Sequence, residues 1–450
     1  MPINQSSTNA TQQAQTYTPL RQKPAAQKFK TGDVLVLFGE LFNRGYANGL
    51  VEEAQKNGMK IVRATVGRRD ENLELRPLTN DELEAQLSLP QFKNSPLINI
   101  PLEAGFDLEK DSGGQRTIDY LKGFKLSEWA NAAVPEKSLF EARDSARKRF
   151  RQNVKAFLTE LEKHITPGGH IHFAHLMAGG VPRTKIVMPL LNRVFKGTGD
   201  RWLSSLEFWQ SSIGKFMEVN FHEVTAHTYH ELIELSTALR EKQIKSGGSV
   251  SYVAYGYHGT EVVVNGEYNW QSYTPYIQGW AKMDLENISK DWFTKGVQTC
   301  IYNCPEILTN SSSIFQGVEI AVYNLIRAFR KENSTHPLTQ KMIKECVELL
   351  KDPKELETIF KLVDDYMVYA EQTKASDFAT WPQHSTKVQL EKLLSTSDQI
   401  FALHKSESAF MTATLSEIIF KSCGYLMLHD AYKPKNPVAW IGHDVVCKCV

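Results

Sequence analysis

The chain has 450 residues and a mass of 51.1 kDa, with 42% hydrophobic residues, 23% charged residues and a formal charge of +1. That balance is normal for a soluble globular protein and offers no basic surface for nucleic acid or an anionic membrane. Six cysteines do not make a disulfide framework and no apolar run reaches the roughly 18 residues that span a bilayer, so a reducing cytoplasm is expected, with one large domain plus an extension or two domains.

Residues 1–28 are polar and rich in Gln, Thr, Ser and Ala, with no apolar core of a secretory signal, and read as a disordered leader. Order then begins with DVLVLFG (33–39), a buried-strand pattern ending in glycine. NRGYANGLVEEAQKNG follows at helical spacing and ends at Gly58, a C-cap; KIVRATVG is a second strand closed by Arg68 and Arg69. This β-α-β unit opens a dinucleotide-binding fold. LINIPLEAG (97–105) reads as strand three, FRQNVKAFLTELEKHI as a helix, and GGHIHFAHLMAGG (168–180) as strand four. An aromatic-bearing insertion over 184–220 precedes a long helix from FHEVTAH to KSGG. SVSYVAYGYHG is strand five, GWAKMDLENISKDWFTKG a helix, and VQTCIYNCPEILT strand six. Beyond about residue 330 the strands stop. The expected class is α/β: a Rossmann-type doubly wound parallel sheet over 29–335, with a helical C-terminal extension over 336–450.

In the first turn, Gly39 to Gly49, the spacing G-x5-G-Y-A-x-G puts Gly39, Gly45, Tyr46 and Ala47 where a pyrophosphate can meet a helix N-terminus. A plain structural turn is the competing reading. After strand two, where an acidic residue would take a ribose 2′-hydroxyl, stand Arg68 and Arg69. They suit a 2′-phosphate, which favours NADPH over NADH; a solvated basic loop competes nearly evenly. The histidines read as structural. Alternation puts His170 and His172 on one strand face and His175 on the other, and HExxxH spacing keeps His222 and His227 off a common i,i+4 face. The terminal CKCV departs from a prenylation box at Lys448.

SYTPYIQGWAKMDLE (272–286) holds Tyr273, Tyr276 and Lys282. A catalytic tyrosine, with a free pKa of about 10, needs a nearby cation to strengthen its hydrogen bond to a developing oxyanion. Aromatic packing beside a surface lysine is the bland alternative.

The order of these segments resembles the short-chain dehydrogenase/reductase superfamily, and within it the divergent enoyl-thioester reductases. HLMAGG (175–180), with Ala178 and Gly179, stands where that superfamily has Asn-Asn-Ala-Gly. YGYHGTE is similar to the reductases' strand-five Tyr-x-Gly-x-Glu, and ILTNSSS (307–313) to their Val-Thr-Gln-Ala-Ser-Ser. The Tyr-x8-Lys spacing of Tyr273 and Lys282 resembles the FabV-type and trans-2-enoyl-CoA reductases. The chain departs from them in a first turn two residues longer, in Arg68/Arg69, and in residues 350–450. The resemblance implies NAD(P)H-dependent reduction of a trans-2-enoyl thioester, carried on acyl carrier protein or coenzyme A, in fatty acid metabolism. It implies Tyr273 as oxyanion donor with Tyr257 in support and Tyr276 as the alternative. Lys282 would hold the nicotinamide ribose, with Ile307 and Thr309 against the carboxamide. A carbonyl or 3-ketoacyl reductase of the same superfamily and a non-catalytic nucleotide-binding scaffold subunit are the other readings.

Overall fold

The computed structural model describes residues 18–41, 45–92, 94–196, 205–256, 258–272, 279–307, 317–372, 387–406 and 413–449. Ten of its strands are β1 (Pro19–Leu20), β2 (Val34–Phe38), β3 (Lys60–Thr65), β4 (Leu97–Pro101), β5 (His170–His175), β6 (Ser249–Tyr255), β7 (Gly259–Val264), β8 (Glu267–Ser272), β9 (Gln298–Asn303) and β10 (Val438–Ile441). All but the β7–β8 hairpin join one parallel sheet in the order β4-β3-β2-β5-β6-β9-β10-β1. The central strands are covered on both faces, which is why they read as continuous apolar runs: VLVLF of β2 is buried at every position. The strand order reverses between β2 and β5, the switch point outside whose strand ends doubly wound sheets form their ligand crevice.

Helices α1 (Ala47–Lys56), α2 (Glu136–Glu162), α3 (Ser212–His222), α4 (Thr228–Leu235), α5 (Gly279–Thr294), α6 (Val318–Asn333) and α7 (Ala413–Asp430) frame the sheet. One core joins α1, α6 and α7 through Leu50, Ile326 and Leu426; a second joins α2 and α4 to the opposite face through Phe157, Tyr229 and Phe173. The insertion is helical and builds a third core, with Phe208, Phe216 and Trp129, that reaches Ala281 at the start of α5. The long helix expected from Phe221 is broken by a π turn over Glu223–His227.

Three expectations change. The leader does not extend to residue 28. Trp440 N–H donates to the Thr18 carbonyl at 2.9 Å, and Gly442 N–H to that of Leu20 at 3.2 Å, so β1 closes the sheet edge. Edge pairing uses backbone groups and tolerates proline there, so a polar composition does not reveal it. Strands do not stop at 330, because β10 inserts between β9 and β1. Nor does the C-terminal part stand apart from the dinucleotide fold. Gly49 of α1 and Gly424 of α7 meet backbone to backbone: a Cβ at Gly49 would lie 1.7 Å from the Phe420 carbonyl oxygen, and one at Gly424 2.2 Å from the Gly49 carbonyl carbon. His429 of α7 adds a hydrogen bond to Glu53 of α1 at 3.1 Å and accepts the Gln27 N–H at 3.0 Å.

Candidate active site

The crevice is built from the ends of β2 and β5. Gly39 leaves β2 with φ +122°, and a Cβ on it would sit 3.2 Å from the Leu176 carbonyl carbon and the Met177 nitrogen. Only glycine accommodates both that conformation and that approach. Across the crevice, Ala178 is exposed. The loop around it is pinned from behind: Thr225 Oγ1 donates to the Gly179 carbonyl at 3.1 Å and Asn220 Nδ2 to that of Gly180 at 2.7 Å. Thr225 belongs to the π turn, so the irregular helix serves the loop.

Tyr46 precedes α1 and supplies no side-chain cap, and the first turn of α1 has no acidic residue, which leaves the dipole end suited to an anion. The Tyr46 ring stacks on Tyr255 (5.9 Å, 26°) and its hydroxyl donates to the Pro305 carbonyl. It thus ties the first turn to the segment after β9. Ala47 is buried against the core, and Gly45 accepts the Asn48 amide at 2.8 Å.

Lys282 lies in the first turn of α5 and is only 5% exposed. Its Nζ donates to the Tyr255 carbonyl, the last residue of β6, at 2.8 Å. Burial pushes its pKa down to about 8. One turn further, Glu286 is buried and accepts from Asn303 Nδ2 (2.7 Å) and pairs with His258 Nδ1 (3.1 Å), while His258 N–H donates to Asn303 Oδ1 (3.0 Å). Burial would raise the Glu286 carboxyl, but His258 and Asn303 hold it below the usual range. This network, absent from the sequence reading, joins α5 to the ends of β6 and β9. Its one signal in the sequence is a glutamate four residues after the lysine.

Arg68 and Arg69, read as suiting a 2′-phosphate or as a solvated basic loop, are both paired with carboxylates. Arg69 is 10% exposed in its side chain and bound to Glu103 and Glu109 (3.2 Å). Arg68 is held at 2.8 Å by Glu40 and also donates to the Gly67 carbonyl. Glu40, which the sequence reading passed over, sits directly after Gly39. Ile307 is buried in the core that α1, α6 and α7 share. Tyr257, Tyr273, Tyr276 and Thr309 lie outside the described residues.

The histidines are buried or paired. His170 and His172 flank Ser251 Oγ at 3.1 and 2.9 Å, and His175 pairs with Thr228 Oγ1 at 2.8 Å. His222 and His227, expected to diverge, converge on Asp284 at 3.0 and 3.7 Å, because the π turn takes up the extra residue of the i,i+5 spacing. Among the described residues, no group of three His, Cys, Asp or Glu side chains is placed to hold a metal ion. Nor is any helix among them long and apolar enough to cross a membrane.

A glycine turn at the switch point of a parallel sheet, followed by an uncapped helix start, is the architecture of the Rossmann-type dinucleotide-binding proteins. Comparison with known proteins narrows this. The chain belongs to the family of the enoyl-acyl carrier protein reductase FabMG, whose model matches residues 16–450. It is 42% identical to a FabMG enoyl-acyl carrier protein reductase solved without ligand, at a TM-score of 0.90, covering 96% of this chain and 98% of that one. It is 35% identical to a FabMG structure with NADH bound, at a TM-score of 0.74 and the same coverage. No curated protein matches. The chain is therefore an NAD(P)H-dependent enoyl-thioester reductase of fatty acid synthesis, and the enoyl reductase resemblance holds at that level.

Proposed function

We propose that the chain reduces the trans-2 double bond of an enoyl group on acyl carrier protein, using NADH, with Lys282 and a tyrosine of the 273–276 segment as its working side chains. The buried Lys282 at the C-terminal edge of β6, beside the switch point, carries this reading. The dinucleotide supplies a hydride to the β-carbon of the enoyl thioester. The protein's part is to stabilise the negative charge that gathers on the thioester carbonyl oxygen. A donor aimed at that oxygen contributes about 10²–10³ in rate.

Tyr273 fills this role in the Tyr-x8-Lys spacing of the FabV type, with Tyr257 as a second donor and Tyr276 as the alternative acid. Lys282 keeps the local potential positive and offers its remaining N–H groups to ribose hydroxyls, since one is spent on the Tyr255 carbonyl. The Glu286–His258–Asn303 network fixes the helix that carries Lys282. The Gly39 turn, Tyr46 and the Ala178–Gly179 loop line the dinucleotide path.

Two observations favour NADH over the NADPH that Arg68 and Arg69 suggested: both arginines are already paired with carboxylates, and a FabMG structure binds NADH. The family's name favours acyl carrier protein over coenzyme A as the carrier.

The test is oxidation of the reduced nicotinamide with trans-2-enoyl thioesters on either carrier. Tyr273→Phe should lose at least about 100-fold in kcat. Turnover that survives in Tyr273→Phe and collapses in Tyr276→Phe moves the acid three residues on. Turnover that survives both, or survives Lys282→Met, refutes the assignment.

A further inference from the structure

We propose that Glu40 selects the reductant, taking the adenosine ribose hydroxyls of NADH on one carboxylate oxygen and turning away the 2′-phosphate of NADPH. The inference rests on the dinucleotide reading of the crevice.

Glu40 follows the Gly39 turn at the end of β2, and its carboxylate crosses to the end of β3. In doubly wound sheets the acidic residue that receives the ribose stands at the end of that second strand. Here the strand end itself carries Thr65, Val66 and Arg68, and the acid comes from the neighbouring turn. Oε1 of Glu40 is saturated, accepting from Thr65 Oγ1 at 2.6 Å, Arg68 NH1 at 2.8 Å and Val66 N at 3.2 Å. The Thr65 hydroxyl is itself oriented, because its oxygen accepts the Gly67 N–H at 3.0 Å and its hydrogen is left for Glu40. Oε2 has no partner among the described residues, and the side chain is 25% exposed. The structure therefore presents one fixed carboxylate oxygen, acceptor only, where a ribose diol belongs.

The charges point the same way. Arg68 is paired with Glu40 itself at 2.8 Å. Arg69 is enclosed by Glu103 and Glu109. Among the described residues, both guanidinium groups of this strand end are paired with carboxylates. A phosphate brought to Oε2 meets a carboxylate, and the two like charges repel.

The experiment titrates the ligand-free protein with NADH and with NADPH by calorimetry, without thioester, for wild type, Glu40→Gln and Arg68→Ala, with circular dichroism and thermal midpoints confirming each fold. Glutamine keeps the shape and an acceptor for Thr65 while removing the charge. The wild type should bind NADH at least about 10-fold more tightly than NADPH, and Glu40→Gln should shrink that ratio by about 10-fold or more, partly by gaining NADPH. In Arg68→Ala, NADPH affinity should not fall below that of the wild type. A wild type that prefers NADPH, a folded Glu40→Gln with an unchanged ratio, or a folded Arg68→Ala whose NADPH affinity alone collapses each overturns the proposal. So does a wild type that binds neither dinucleotide, which sinks the cofactor reading as well. A Glu40-dependent ratio in a protein that reduces no enoyl thioester leaves the proposal standing and removes the reductase assignment.

Discussion

Gly49→Ala should destabilise the protein although alanine is the better helix former. In an exposed helix the exchange gains about 1 kcal/mol. At this position the new methyl would lie 1.7 Å from the Phe420 carbonyl oxygen and 2.3 Å from its carbon, both backbone atoms of α7 that no rotamer change can remove. Reaching even a strained 3.0 Å requires α1 and α7 to separate by about 1.3 Å. A gap of 0.5–1 Å already forfeits about a quarter to a half of each contact's dispersion energy along the seam. Overpacking typically costs about 1–3 kcal/mol, and a contact this short belongs at the upper end. Net of the propensity gain, the expected loss is about 2 kcal/mol, read as a lower urea midpoint. Because α1 also carries the dinucleotide turn, NADH affinity should fall in the same variant. Gly424→Ala should behave alike, since its methyl would enter the same crossing. Unchanged or raised stability in Gly49→Ala would refute the backbone contact and the claim that the C-terminal helix supports the cofactor helix.

Lys282 gives a pH prediction. The unfolded chain keeps this proton to about pH 10.5 and the folded chain releases it near 8. Between those values the unfolded state holds more protons, so this group makes stability rise with pH. The rise should appear in wild type and not in Lys282→Met when the two unfolding curves are compared across that window, and turnover should fall above about pH 8 as the ammonium is lost. Glu286→Ala strands two buried donors, from His258 and Asn303, and should cost about 2–5 kcal/mol in chemical denaturation, with a larger fall in kcat than in substrate affinity as α5 loosens. Arg21→Ala removes the cation from the buried Glu261 carboxylate, leaving it the His443 N–H, and should cost about 2–3 kcal/mol, visible as a lower thermal midpoint.

What the sequence discloses follows from which interactions are local. The strands expected from the sequence and the glycine at the end of the first announce themselves through apolar runs and punctuation, most plainly β2 and β5, which are buried at every position. Gly39, Tyr46 and Lys282, whose roles are proposals, were singled out from spacing. Glu40 was not, because its meaning depends on Thr65 and Arg68 of the next strand. The partners of Arg68 and Arg69 were hidden for the same reason, since Glu40, Glu103 and Glu109 lie far from them along the chain. β1 and β10 carry short, unexceptional sequences whose pairing is between chain ends. The histidine spacing in HExxxH was read with α-helical periodicity, and a single π turn changed which side chains meet.

The sheet edge bears on how the protein comes to exist. Arg21 and Asp444 are hydrogen-bonded across 423 residues, and Pro19 pairs with Trp440. A ribosome releases the first partner long before the second. Until β10 emerges, β9 remains an edge with unpaired backbone groups, and until α7 emerges the apolar face of α1 is bare. Such surfaces invite association with other chains during synthesis. A stop codon or frameshift ahead of α7 would therefore remove more than the residues beyond it. The dinucleotide crevice would be fully translated and yet left without the helix and strand against which it closes.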